Sequence, residues 1–324
     1  MALPAMGAVR AAFPEARIAI AAPSSVAPLF EEHTAAAQDE LILLTASTEV
    51  ASLAAGHFDA ALLLTNSFRT AWVASKARIP ERWGYRGNLR TWLLSRPIAR
   101  PGRRVHQSIY SADLVRGLGL DVPESLPRVI VRPETAIRAE ALLAKQGVSG
   151  GASIVGFAPG AAYGHAKRWP PVRVADVITR LSAMRGATCV LVGAVGDRDA
   201  AREIESSLPP DARVVDLIGR TDLRLLAGVL ARCDAFVSND SGAMHLAAAL
   251  GVPVVAIFGP TDDRVTAPPG GHDVLIHDVF CRPCMLRDCP IDHRCMKGIT
   301  ADAVFEAVSF RLDARRARSA ENQW

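Results

Sequence analysis

Residues 235–262 read AFVSNDSGAMHLAAALGVPVVAIFGPTD, and the reading of this stretch decides the fold. The apolar run Ala235–Ser238 predicts a buried strand that runs into Asn239-Asp240-Ser241-Gly242. An Ala/Leu-rich helix is expected over Ala243–Leu250, closed by Gly251 in the C′ position and barred from continuing by Pro253. The run Val254–Phe258 predicts a second strand, ending in Gly259-Pro260-Thr261-Asp262. Strand, helix and strand in this rhythm make the unit of a parallel sheet. A helix opened by Ser and Gly turns free N–H groups and the positive end of its dipole toward an anion such as a diphosphate. Asp240-Ser241 would also serve as a plain helix cap with His245 on the surface, but the complete strand–cap–helix–strand–GPTD unit favours a ligand.

Working outward, short β-branched runs alternate with longer Ala/Leu-rich stretches along the whole chain, the pattern of parallel sheets flanked by helices. Strands are expected at Arg17–Ala22, Leu41–Leu44 and Ala60–Leu64 in the first half. Strands at Ile154–Ala158, Cys189–Val192 and Val214–Leu217 join the two of the opening stretch in the second half. The predicted class is α/β, with two Rossmann-like doubly wound domains facing a cleft. Residues 1–150 form the first, 151–300 the second and 301–324 a C-terminal helix. The stretch Pro127–Gly151, with a helix around Thr135–Gln146, joins them. The chain opens in a helix, Leu3–Phe13, where a doubly wound domain opens in a strand, so a first strand upstream of Met1 is expected.

A second phosphate-binding element is IVGFAPGAAYGHAKRWP, residues 154–170. A strand ends in Pro159-Gly160, a small-residue loop follows, and Lys167-Arg168-Trp169-Pro170 precedes the next helix. Gly160 and Gly164 permit close backbone approach, and Lys167 offers a compact positive charge. The Gly–Lys spacing is not that of a Walker A loop, and no G-x-G-x-x-G occurs, which argues against a dehydrogenase.

Between Asn66 and Arg104 there are ten Lys/Arg and one acid, Glu81, a net +9 within a chain of +4. Trp72, Trp83, Tyr85 and Trp92 are interleaved with them. Such a face suits a polyanionic acceptor, with Arg69, Arg86 and Arg90 as candidate contacts. No nucleic-acid motif accompanies it. The basic residues of the last helix, Arg311, Arg315, Arg316 and Arg318, either add attraction to a membrane surface or stay in solvent. No apolar run reaches the roughly 18 residues of a membrane span, and no signal peptide opens the chain. A cytoplasmic location with reduced cysteines is expected. Cys281, Cys284, Cys289 and Cys295, with His293 among them, allow a structural zinc site or a loop of reduced thiols, the second being preferred. No acyl or redox motif marks a catalytic thiol.

Taken together, FAPGAAYGHAKRWP (157–170), VSNDSGAMHLAAALGVPVVAIFGPTD (237–262) and TNSFRTAWVASKARIPERWGYRG (65–87) resemble the bacterial lipopolysaccharide heptosyltransferases. These belong to glycosyltransferase family 9 and have the GT-B fold. The resemblance runs in order over nearly the whole chain and is nearest to the heptosyltransferase II type. It implies ADP-L-glycero-D-manno-heptose as donor and a lipid A core at the inner face of the inner membrane as acceptor. It also implies inverting transfer with no metal or other cofactor, by a monomer. The donor would be held by Gly160, Lys167, Asp240, Ser241, Gly242 and His245, with Thr261 close to the nucleotide. The family's general base is an Asp in a Gly-Asp turn whose counterpart would lie upstream of Met1. A general base is worth roughly 10²–10⁴-fold in rate. A donor-binding protein of impaired turnover, or a GT-B enzyme for another nucleotide sugar, are therefore the alternatives.

Overall fold

A computed structural model describes residues 1–321 apart from Ser149, Ala162 and Tyr163. In the last helix the side chains of Arg316 and of residues 318–321 fall outside the description. The chain divides into two compact units, Met1–Ile130 and Val131–Trp324.

The first unit runs α1 (Leu3–Ala12), β1 (Ala19–Pro23), β2 (His33–Thr34), β3 (Glu40–Leu44), α2 (Glu49–Ala55), β4 (Ala60–Leu63) and α3 (Phe68–Lys76). It continues with β5 (Glu81–Tyr85), β6 (Arg96–Ile98), α4 (Gln107–Arg116) and β7 (Val129–Ile130). Its parallel strands fall into two sheets, β1-β3 and β4-β5-β6, while β2 and β7 pair antiparallel. Strands β5 and β6 were not expected from the sequence. Glu81-Arg82-Trp83-Gly84-Tyr85 lacks a β-branched residue, and β6 carries Pro97, which an edge strand tolerates because one side of its backbone needs no partner. Arg82 fits inside β5 because its guanidinium turns back on the carbonyls of Leu93, Ile79 and Pro80.

The second unit opens with α5 (Pro133–Lys145), β8 (Ile154–Ala158), α6 (Pro171–Arg185), β9 (Thr188–Leu191), α7 (Arg198–Ser206), β10 (Val214–Asp216) and α8 (Leu223–Ala231). Then come β11 (Ala235–Asn239), α9 (Gly242–Ala249), β12 (Val254–Phe258), α10 (Asp263–Thr266), β13 (Asp273–Ile276), α11 (Arg294–Lys297) and α12 (Ala301–Glu321). All six strands join one parallel sheet in the order β10-β9-β8-β11-β12-β13. Counted within the unit this is 3-2-1-4-5-6, the doubly wound order, and its switch point lies between β8 and β11. Every residue of β8, β11 and β12 is buried, as the continuous apolar runs required.

The units divide at Ile130/Val131 and not at 150. The reason is α5, which lies against α8: a Cβ on Gly228 would stand 2.8 Å from the Cβ of Ala139, so the helices nearly touch. Nor is the C-terminal helix a separate element. Val304, Val308 and Leu312 of α12 enter the same core as Ile178 and Leu181 of α6. Arg311 forms a bidentate pair with Asp273, and Arg315 binds Asp234 at 2.9 Å and the Cys233 carbonyl. Those two arginines, considered above for a membrane surface, are committed inside the unit.

Candidate functional site

The switch point brings together the two elements in which the sequence reading expects phosphate contacts. The loop after β8 and the turn after β11 emerge side by side because Ala158 pairs with Ser238. Lys167 Nζ lies 2.6 Å from Asp240 Oδ2, with both side chains largely buried. Ser241 is the N-cap of α9, its hydroxyl accepting from the Met244 N–H at 3.5 Å, and Gly242 opens the helix exposed. His245 is half-buried one turn further on. At the end of neighbouring β12, Thr261 is 4% exposed, and its hydroxyl has no hydrogen-bond partner among the described residues. A buried hydroxyl is costly to leave unpaired, so a ligand atom suits it.

Asn239 fixes these pieces to one another, and the sequence reading passed over it. It is 2% exposed. Its amide donates to the carbonyls of Pro159 (2.8 Å) and Gly160 (3.2 Å), and its Oδ1 accepts from the Trp169 N–H at 3.2 Å. Both ends of the Lys167 loop thus hang on one side chain. Trp169 is buried and donates its indole N–H to the Ile299 carbonyl, which pins the exit of the loop. The only signal in the sequence was a polar residue ending an otherwise apolar strand.

Gly160 and Gly164 each meet another part of the protein closely. A Cβ on Gly160 would sit 2.1 Å from the carboxylate carbon of Asp197. Asp197 also accepts from the Ala194 N–H at 3.0 Å and lies 3.5 Å from Arg168. Gly164 has a φ of +141°, and a Cβ there would sit 2.4 Å from the Arg287 carbonyl. The close approaches these glycines permit are to the protein itself.

Arg287 belongs to the cysteine-bearing loop, which buttresses the Lys167 loop. The Ala166 N–H donates to the Arg287 carbonyl at 2.9 Å, and a His293 ring nitrogen meets the Ala166 carbonyl. Cys281, Cys284, Cys289 and Cys295 line one cavity of ≈ 20 Å³ with Ala166 and Pro260. Burial and the neighbouring sulfurs push the Cys295 thiol up. Among the described residues no group of three His, Cys, Asp or Glu side chains is arranged to hold a metal ion. The remaining two cysteines belong to the core. Burial pushes the Cys233 thiol up to about 12 and the Cys189 thiol higher still.

In the first unit the three candidate arginines part company. Arg69 and Arg86 are exposed, Arg69 pairing with Glu49 at 2.7 Å. Arg90 is fully buried, donating to the carbonyls of Tyr85 (3.0 Å), Thr65 (2.5 Å) and Ser67 (3.3 Å) and to Asn66 Oδ1 (3.2 Å). It ties together the loops after β4 and β5, so its guanidinium is not offered to an acceptor.

Comparison with known proteins agrees with this geometry. Residues 50–294 match the model of glycosyltransferase family 9 (heptosyltransferase). The lipooligosaccharide heptosyltransferase 2 of Haemophilus influenzae is 33% identical over 68% of this chain, and the match spans 66% of that protein's length. The lipopolysaccharide heptosyltransferase 2 of Salmonella typhimurium is 31% identical over 79% of this chain and 73% of its own. The structure of Escherichia coli ADP-heptose lps heptosyltransferase II superposes with a TM-score of 0.83 at 28% identity, covering 97% of this chain and 95% of that one. Sequence match, GT-B architecture and the switch-point site agree, and this chain belongs to glycosyltransferase family 9, the heptosyltransferases.

Proposed function

We propose that this protein transfers heptose from ADP-L-glycero-D-manno-heptose to the inner core of lipopolysaccharide, at the cytoplasmic face of the inner membrane. The relatives named above carry out their reactions under the names heptosyltransferase 2 and ADP-heptose heptosyltransferase II, and the site suits the same donor. The observation that carries the reading is the Lys167–Asp240 pair beside the capped N-terminus of α9, at the switch point of the sheet. The diphosphate takes its place against the free N–H groups of Gly242 and its neighbours, where the helix dipole favours negative charge. Asp240 holds Lys167 toward that position and keeps a carboxylate oxygen for a sugar hydroxyl. Thr261, buried and without a hydrogen-bond partner among the described residues, bonds the nucleotide side of the donor.

As the acceptor hydroxyl attacks the anomeric carbon in line, negative charge builds on the departing ADP. The hydroxyl proton passes to water as the new C–O bond forms and the bond to ADP breaks, and the in-line attack inverts the configuration. Lys167 and the N-terminus of α9 meet the leaving charge without reorganising and with no metal called upon. The reduced thiols of residues 281–295 have a structural part in this scheme, bracing the Lys167 loop. A second reading, donor binding with impaired turnover, draws on Asp240: this carboxylate beside Lys167 is already engaged as its partner.

The test is a calorimetric titration with ADP-heptose, ADP and a UDP-sugar, followed by turnover on a heptose-bearing core acceptor. Expected are tighter binding of the ADP compounds and a loss of about 10–100-fold in Lys167→Ala, the worth of one charge-assisted contact. Preference for the UDP-sugar would reassign the donor. Binding without transfer would establish the second reading.

A further inference from the structure

The loop between β5 and β6 holds apolar side chains out in solvent at a cost to its own backbone. Asn88 and Leu89 both take left-handed conformations, with φ of +50° and +55°, which a branched side chain such as leucine adopts rarely. The turn is nonetheless firmly built. Buried Arg90 anchors one side, the Asn88 amide donates to the Asn66 carbonyl at 2.8 Å, and the Gly87 N–H donates to the Thr91 hydroxyl at 3.1 Å. The result is that Leu89 stands 85% exposed and Trp92 74% exposed. Trp92 is held by its own indole N–H, which donates to the Leu89 carbonyl at 3.1 Å. Its ring lies 6.4 Å from that of Phe68, and Phe68 and Trp72 follow one another at i and i+4 on α3, both exposed. None of these four side chains serves the core.

The surroundings of this ridge are basic. The Lys76 ammonium lies 5.9 Å over the Trp72 ring. The Arg100 guanidinium rests against Gly87, and Arg69, Arg86 and Arg96 are exposed in the same segment, which has Glu81 as its one acid. Tryptophan and leucine at the crest with arginine and lysine around them is the composition that enters the headgroup layer of an anionic bilayer. A docking protein would need acidic groups against the same basic rim and an apolar pocket for each crest residue. A bilayer supplies both without specific fit.

We infer that Leu89 and Trp92, with Phe68 and Trp72 behind them, form a membrane-docking ridge that inserts into an anionic lipid surface while the neighbouring arginines bind its headgroups. This rests on the proposed lipid-anchored acceptor and specifies how the protein is held beside it. The ridge sits on the loops after β4 and β5, so docking places the ends of those strands at the bilayer.

The experiment is co-sedimentation of the full chain with vesicles of phosphatidylethanolamine and phosphatidylglycerol, against pure phosphatidylcholine, at low and moderate salt. Expected is binding to the anionic vesicles that falls at least tenfold in the doubly substituted Leu89→Ser, Trp92→Ser chain. Brominated acyl chains should quench tryptophan fluorescence in the unsubstituted protein and do so much less in Trp92→Phe, where Trp72 is the remaining tryptophan of the ridge. Both positions are solvent-exposed, and an unchanged melting temperature and circular dichroism spectrum confirm that the variants fold. Equal binding by the variant, no binding by the unsubstituted protein, or a ridge-dependent dimer in sedimentation equilibrium would each overturn the inference. ADP-heptose affinity, measured in parallel, reports on the functional reading separately. A protein that binds the donor but ignores the vesicles loses only the ridge.

Discussion

The two units achieve order in different ways. In the second, six parallel strands form one continuous sheet, and β8, β11 and β12 are buried along their entire length. Backbone pairing and apolar packing define where the strands end at the switch point, and one buried side chain, Asn239, ties the loops that leave them. In the first, two- and three-stranded parallel sheets are separate, and their strands are half-exposed. There the loop ends are set by polar side chains reaching for backbone carbonyls, with Arg90 and Arg82 doing what sheet continuity does elsewhere. A donor site needs fixed N–H groups and suits the first kind of construction. A surface that receives a large lipid-anchored acceptor suits the second.

The sharpest way to break this comparison is Arg90→Met. The substitution leaves the carbonyls of Tyr85, Thr65 and Ser67 without their donor inside a buried site, at about 1–3 kcal/mol for each such group. We expect the first unit to lose about 3 kcal/mol or more and the second to be untouched. Arg90→Lys should recover little, because an ammonium cannot reproduce the planar fork. Hydrogen exchange resolved along the chain checks this, with new exchange confined to β4, β5 and their loops. Exchange rising equally in β8 and β11, or a melting temperature that does not move, would show that the arginine is not what organises the first unit.

Gly160→Ala sharpens the comparison from the other side, since it adds one methyl group to the rigid unit. That methyl falls on the Asp197 carboxylate, which must move and give up its bond to the Ala194 N–H. Overpacking of this kind costs about 1–3 kcal/mol. Because the Lys167 loop begins at Gly160, donor affinity should fall about tenfold as well, or about 1.4 kcal/mol. Adding Asp197→Ala removes the obstacle, and most of the stability loss should return, a coupling of about 1–2 kcal/mol. A double-mutant cycle by thermal denaturation measures it, and strict additivity would mean the two residues do not meet.

The same contrast explains what could be read from the sequence. Strands β8 and β12 were legible to the residue, because full burial on both faces leaves an unbroken apolar run. The capped helix and the Lys167 loop were legible because a Ser-Gly helix start and a Gly-rich loop draw on few residue types. Asn239 and Asp197 escaped notice because their partners are backbone groups and a glycine distant in sequence, which leave no local pattern. Strands β5 and β6 escaped because a half-exposed strand tolerates arginine and an edge strand tolerates proline, and Arg90 looked like one surface charge among ten. The carbonyls converging on it distinguish Arg90 from Arg86, and those come from two segments distant from each other in sequence.

The mildest effect concerns a device that both units share. In the first, Asp39 accepts from the Ile18 N–H at 2.8 Å ahead of β1 and pairs with Arg10 of α1 at 2.5 Å, while its own N–H returns to the Ile18 carbonyl. In the second, Asp234 accepts from the Ile154 N–H at 2.9 Å and pairs with Arg315 of α12 at 2.9 Å, and its N–H returns to the Ile154 carbonyl. Each ties the start of a parallel strand pair to a helix. The Ile18 N–H, followed by Arg10, holds the Asp39 carboxyl below its ordinary value of 3.8. A carboxylate depressed on folding contributes stability that is present above the unfolded value and lost as pH falls through the folded one. The loss attributable to Asp39 therefore lies below pH 3.8, and Asp39→Asn should lower the first unit's stability by a small amount at neutral pH and converge with the unsubstituted chain in acid, which flattens the acid limb. Urea melts from pH 6 down to pH 3, followed by exchange at β1 and α1, would show it. An acid limb unaltered by the substitution would mean the pair is only a surface contact, and that the first unit's sheets are aligned by packing after all.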